Sequence, residues 1–222
     1  MATFVLVHGA WGGGQGWRAT AKLLSAKGHD VHIATLTGLG EKKHLISPAI
    51  TLETHITDVT NMIAAEGLTD FVLAGHSYGG MIITEVANRL GKAIRSLVYV
   101  DAFLPRDGEA LWDIADEPSR KHYIDAQRDM PGLVAPFPGS PSFLTRHPLL
   151  TLIEPVKMTG AEQAITRRTY IYATKDAPTV FTKFHERVKV DPDWKVYSLP
   201  TGHGVMVEKP EETAAILLEA AV

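Results

Sequence analysis

The sequence predicts an α/β fold: a mostly parallel sheet flanked by helices, interrupted by a small inserted cap. Two observations carry that prediction. Short, continuous apolar runs alternate with helical segments, and unbroken apolar strands belong to sheets covered on both faces. Between residues 105 and 165 the rhythm fails, because Pro105, Pro118, Pro131, Pro136, Pro138, Pro141, Pro148 and Pro155 crowd that stretch. A segment such as "PGLVAPFPGSPSF" cannot run through a sheet core, since proline removes a ladder donor.

The elements follow in order. "TFVLVHG" reads as the first buried strand, and "WRATAKLLSAKG" as a helix closed by Gly28. "DVHIATL" is a second strand. "TLETHITDVTNMIAAEG" places Leu52, Ile56, Val59 and Ile63 on one helical face, with Thr51 and Thr54 forming only a poor capping box. "DFVLAG" is a third strand, "GMIITEVANRLG" the next helix and "IRSLVYVDAF" a fourth strand. Beyond the proline-rich stretch, "RRTYIYATKD" and "WKVYSLP" make two more strands. "KPEETAAILLEAAV" is a terminal helix, with Pro210 in its first turn and Glu211 and Glu212 at its positive end. Residues 1–104 and 166–222 then form one core domain, and residues 105–165 a cap ordered around Trp112, Tyr123, Phe137 and Phe143.

Composition narrows the function. The chain has 222 residues, 45% hydrophobic and 21% charged, with a net charge of -3. No basic stripe is present, so nucleic acid is not an expected partner. The absence of cysteine removes disulfides, thiolate metal sites and a cysteine nucleophile. "MATFVLVHGAW" is broken too early by His8 and Gly9 to read as a signal peptide, and no run reaches the roughly 18 apolar residues of a membrane span. The expectation is a soluble cytoplasmic protein.

The stretch "VLAGHSYGGM" carries the chemistry. Gly75-His76-Ser77-Tyr78-Gly79 fits G-x-S-x-G, between a good strand and a good helix. The chemistry needs a serine on a very tight strand-to-helix turn, its hydroxyl pushed above the sheet and the helix dipole near the developing oxyanion. Ser77 is therefore the candidate nucleophile. The candidate base is His203, in a loop between Gly202 and Gly204 after the last strand. His8 is expected to shape the loop over the oxyanion. His76 adjoins Ser77 but cannot face it. His122, His147 and His185 read as surface residues, and no H-E-x-x-H spacing marks a metal site.

The acid should lie between serine and histidine and end a strand. Asp176, just past "YIYATK", is the preferred candidate, and Asp101, at the end of "SLVYVD", is the alternative. Asp191 and Asp193 read as exposed turn residues. The glycine-rich loop "HGAWGGGQGW" offers an N–H from Ala10 or Trp11, with that of Tyr78, as an oxyanion hole. Gly14, Gly16 and Ala19 also fit a dinucleotide fingerprint. The acid that such a motif expects at the end of the second strand is missing.

Taken together, "FVLVHGAW", "GHSYGGM", "VYVDAFLP" and "LPTGHGVMVEKPEE" resemble the α/β-hydrolase superfamily. They resemble most the branch of plant methylesterases, plant hydroxynitrile lyases and small bacterial esterases that open pesticide esters and carbamates. The resemblance spans nearly the whole chain and is weak only in the cap. It implies a triad of Ser77, His203 and Asp176, oxyanion donors at Ala10 and Tyr78, and no cofactor. The lyases carry a lysine after the triad histidine and a small polar residue after the serine. Here Gly204 and Tyr78 stand there, which points to hydrolysis.

The expected activity is hydrolysis of a carboxylic ester, or of a carbamate or lactone, through an acyl-enzyme. Trp11, Trp112, Phe137, Phe143 and Met206 are the candidate lining of an apolar, aromatic-accepting pocket. The competing readings are a hydroxynitrile lyase using the same pocket and a ligand-binding protein that has lost turnover.

Overall fold

The computed structural model describes residues 1–222. Its centre is a six-stranded, all-parallel sheet: β1 (Thr3–Val7), β2 (Asp30–Ala34), β3 (Phe71–His76), β4 (Ile94–Val100), β7 (Arg168–Ala173) and β8 (Trp194–Leu199). The spatial order is β2-β1-β3-β4-β7-β8. The chain thus reverses its direction of travel at β1, which puts the ends of β1 and β3 side by side. Ligands bind at such a switch point in open α/β sheets.

Alternation along each strand divides the core in two. Val5, Val7, Phe71, Leu73 and Tyr170 face a cluster shared with helices α2 (Leu52–Ala65) and α3 (Gly79–Leu90). Phe4, Leu6, Val72, Ala74 and Ile171 face α1 (Arg18–Ala26) and the terminal α9 (Pro210–Ala220). Both faces of the central strands are dry, which explains their unbroken apolar sequence. Thr51 and Thr54 do form a reciprocal capping box on α2, because a threonine hydroxyl at the third position reaches the cap N–H as a glutamate would.

The proline-rich stretch is ordered. It contains α4 (Leu111–Ile114), α5 (Glu117–Asp125), a two-residue antiparallel ladder of β5 (Leu133–Val134) with β6 (His147–Pro148), and α6 (Leu150–Ile153). None of it joins the main sheet. Two short helices follow once the sheet resumes: α7 (Thr182–Val188), which carries His185, and α8 (Val205–Glu208). Each spans two turns or fewer, too few for a periodic pattern.

Backbone proximity sets the tightest demand. A Cβ on Gly80, at the start of α3, would stand 2.0 Å from the Phe103 carbonyl oxygen. A Cβ on Gly75 would stand 2.7 Å from the Gly79 oxygen, and one on Gly79 2.9 Å from the Val7 oxygen. Backbone atoms cannot yield as a side-chain tip can. Gly80→Ala should therefore lower the melting temperature by more than the roughly 2–4 °C that 1 kcal/mol is worth in a chain of this size. Gly12→Ala, whose nearest neighbour would be 3.7 Å away, serves as control and should change it little. Equal melting temperatures by circular dichroism would refute the packing argument.

Candidate active site

Ser77 follows β3 directly and sits at φ 55°, the left-handed region. For a residue with a Cβ this costs roughly 1–2 kcal/mol. Its backbone is held against relaxation: its N–H donates to the Val100 carbonyl at 3.2 Å, and its carbonyl accepts from Gly80 and Phe103. The side chain is largely buried and its hydroxyl has no hydrogen-bond partner in the protein. Ser77, His203, Gly9 and Ala10 border one cavity of about 610 Å³.

His203 is exposed, and its ring lies flat against Phe181, centroids 4.7 Å apart. Its Nδ1 is 2.7 Å from Asp101 Oδ2. Asp101 can only accept, so the Nδ1–H donates and Nε2 keeps its lone pair. The second oxygen of Asp101 accepts the Ala173 N–H at 3.2 Å, and its own N–H donates to Ile171 at 2.7 Å. The carboxylate is thus buried and fixed between β4 and β7.

This corrects the preference for Asp176. That residue lies three positions past the end of β7, exposed at a turn, and the His203 ring nitrogen is taken by Asp101 instead. The reason is sheet order. β4 is the direct neighbour of β3 and pairs His76 with Val100, so the next residue, Asp101, lies beside Ser77. β7 is one strand further away.

His76 turns from Ser77, as expected, and donates from Nε2 to the His203 carbonyl at 2.8 Å. His8 is wholly buried and shapes the loop after β1. Its Nδ1–H donates to the Gly9 carbonyl at 2.8 Å, and its Nε2 accepts the Leu36 N–H at 3.2 Å. The Gly9 carbonyl and the Ala10 N–H are opposite ends of one planar peptide. Holding one end aims the other. The N–H groups of Ala10 and Tyr78 have no acceptor within the protein, whereas the Trp11 N–H is taken by His147. Of the two donors left open on this loop, Ala10 is therefore the free one.

Of the expected pocket residues, Trp11, Phe137, Phe143 and Met206 border the cavity. Trp112 does not; it packs behind Tyr123, ring centroids 6.4 Å apart. Sequence reading missed Tyr123, Phe103 and Phe181 in the lining. Phe103 immediately follows the Asp101 turn, the one positional signal available. His147 is also corrected: it is fully buried, not a surface residue. His122 and His185 are partly buried.

Four histidines here carry lowered pKa values, in each case chiefly because burial disfavours the charged ring. His8 and His55 are pushed down to about 4, and His76 and His147 well below the usual value. Unfolded, each protonates near 6.5. Between pH 6.5 and about 4 the unfolded chain binds more protons, so stability falls as pH falls. The urea midpoint should drop steadily from pH 7 to pH 5. A midpoint constant across that range would show that these rings are protonated in the folded state.

The profile described as "Alpha/beta hydrolase family" matches residues 4–216. The chain is 40% identical over 235 aligned residues to a carbendazim-hydrolysing esterase of Nocardioides sp. strain SG-4G, covering 96% of this chain and 97% of that protein. It is 28% identical to a pyrethroid hydrolase of Sphingobium wenxiniae, covering 98% and 86%. Among solved structures, an extracellular alpha/beta-hydrolase from a Paenibacillus species superposes with a TM-score of 0.86 at 23% identity, covering 99% of each chain. At that identity the likeness speaks for the fold. No helix is long and apolar enough to cross a membrane.

Proposed function

The chain belongs to the alpha/beta hydrolase family, and from that premise we propose that it is a serine esterase that opens small aromatic esters or carbamates through an acyl-enzyme on Ser77. The observation that carries this reading is the 2.7 Å His203–Asp101 pair on the cavity that Ser77 borders. A histidine held this way has the tautomer a general base needs.

In the proposed reaction, Ser77 Oγ attacks the carbonyl carbon and its proton passes to His203 Nε2. The tetrahedral oxyanion takes hydrogen bonds from the free N–H groups of Ala10 and Tyr78. Asp101 holds the ring and stabilises its positive charge. Collapse breaks the bond to the leaving alcohol, which receives the proton from His203. Water, deprotonated by His203, then attacks the acyl carbon and releases the acid. A carbamate follows the same path and yields a carbamic acid, which loses carbon dioxide. No step requires a bound metal or cofactor.

Apolar lining from Trp11, Phe137, Phe143 and Met206 supports an aromatic substrate, and the activities of the relatives on carbendazim and pyrethroids agree with that class.

The test is steady-state hydrolysis of short p-nitrophenyl esters, aromatic methyl esters and carbendazim. Ser77→Ala should leave less than about a thousandth of the parent rate. Asp101→Asn should lower kcat about ten-thousandfold through the wrong tautomer, and Asp176→Asn by less than about tenfold. The reverse order for the two aspartates would return the acid to Asp176.

A further inference from the structure

Trp11 stands one residue beyond Ala10, at φ 60°, a strained conformation for a tryptophan. Such a residue persists only where its surroundings overdetermine it. Here they come from the cap. The Trp11 N–H donates to His147 Nδ1 at 3.2 Å, its carbonyl accepts from the Thr145 N–H at 2.9 Å, and its indole N–H donates to the Val134 carbonyl at 2.9 Å. All three partners lie on or beside the β5–β6 ladder.

His147 has only one tautomer open to it. The Thr151 hydroxyl donates to the Pro148 carbonyl at 2.8 Å, so its oxygen accepts the His147 Nε2–H at 2.7 Å. Nδ1 is then a bare acceptor, and it is spent on Trp11. The ring is fully buried, 4.9 Å from Tyr78 and 5.9 Å from His55, centroid to centroid. Both neighbours are already engaged: His55 donates to the Thr37 carbonyl, so its Nδ1 accepts from the Tyr78 hydroxyl at 2.9 Å. Nothing else competes for His147 Nδ1.

We propose that His147 is a positioning residue for the oxyanion loop, by which the cap fixes the peptide that follows the Ala10 donor. His8 holds the Gly9–Ala10 peptide from the core side, and His147 holds the Ala10–Trp11 peptide from the cap side. Two consecutive planes are clamped, so the Ala10 N–H has no freedom to swing. Without the His147 acceptor, the half-buried Trp11 N–H would lose its partner, and the loop would turn to satisfy it. That rotation would carry the Ala10 N–H away from the oxyanion. The donor would be lost where charge develops, with little effect on ground-state binding.

The proposal rests on the esterase reading, so the experiment carries its own control. Hydrolysis of a p-nitrophenyl ester is measured for the parent, Ser77→Ala, His147→Phe, His147→Asn and His147→Gln, with thermal denaturation of each. His147→Phe keeps the ring and removes the acceptor. It should lower kcat about a hundredfold with KM changed less than about threefold. His147→Asn places an oxygen where Nδ1 stood and should restore kcat to within about tenfold of the parent. His147→Gln reaches only towards Thr151 and should behave as the phenylalanine variant does.

A folded His147→Phe with parental kcat would overturn the proposal. So would equal losses in the asparagine and glutamine variants at matched melting temperatures, a comparison that stands even if His147→Phe does not fold. A parent whose turnover does not depend on Ser77 would sink the esterase reading itself, and this proposal with it.

Discussion

The structure depends on one close passage of backbone. The turn from β3 into α3 runs between the ends of β1 and β4 with no room for a side chain at Gly75, Gly79 or Gly80. That passage forces Ser77 into the left-handed region and tilts its side chain onto the cavity that Ala10 and His203 also border. The strain of one residue is small against the packing of two hydrophobic clusters, so the sheet holds it in place.

Everything chemical is then hung on neighbours of that turn. β1 sends the loop with Ala10 across one side, and β4 supplies Asp101 on the other. His203 arrives from beyond β8 and is fixed at three points: Asp101 on its ring nitrogen, His76 on its carbonyl and Phe181 on its face. The buried histidines act as neutral linkers, each donating from one nitrogen and, in His8, His55 and His147, accepting at the other. A lysine or carboxylate could not do both without burying a charge.

The sheet, the main helices and the serine turn were legible because each writes a local pattern: unbroken apolar runs, a 3.6-residue period, a fixed glycine spacing. The position of His203 on the cavity was legible from its glycine-flanked place after the last strand. The partner of His203 was not, because it depends on which strands are neighbours. Asp101 and Asp176 both follow strand ends, and only the β3–β4 adjacency separates them. His147 departs from its local pattern for a related reason. Its proline-rich surroundings read as surface, yet a two-residue ladder turns it inward onto Trp11. Trp112 shows the converse, an aromatic in the right segment that packs behind Tyr123 instead of facing the cavity.

The cap supplies half of the aromatic lining, Tyr123, Phe137 and Phe143, and also holds the loop after β1 through His147, so part of the cavity wall and the geometry of that loop are built from one segment. The proposed chemistry stands only if the turn makes Ser77 a nucleophile. The most direct measurement is covalent capture: folded protein treated with a fluorophosphonate, digested and mapped by mass spectrometry. One adduct is expected, on Ser77, lost when the protein is unfolded beforehand. No adduct on the folded chain, or modification at another serine, would contradict it.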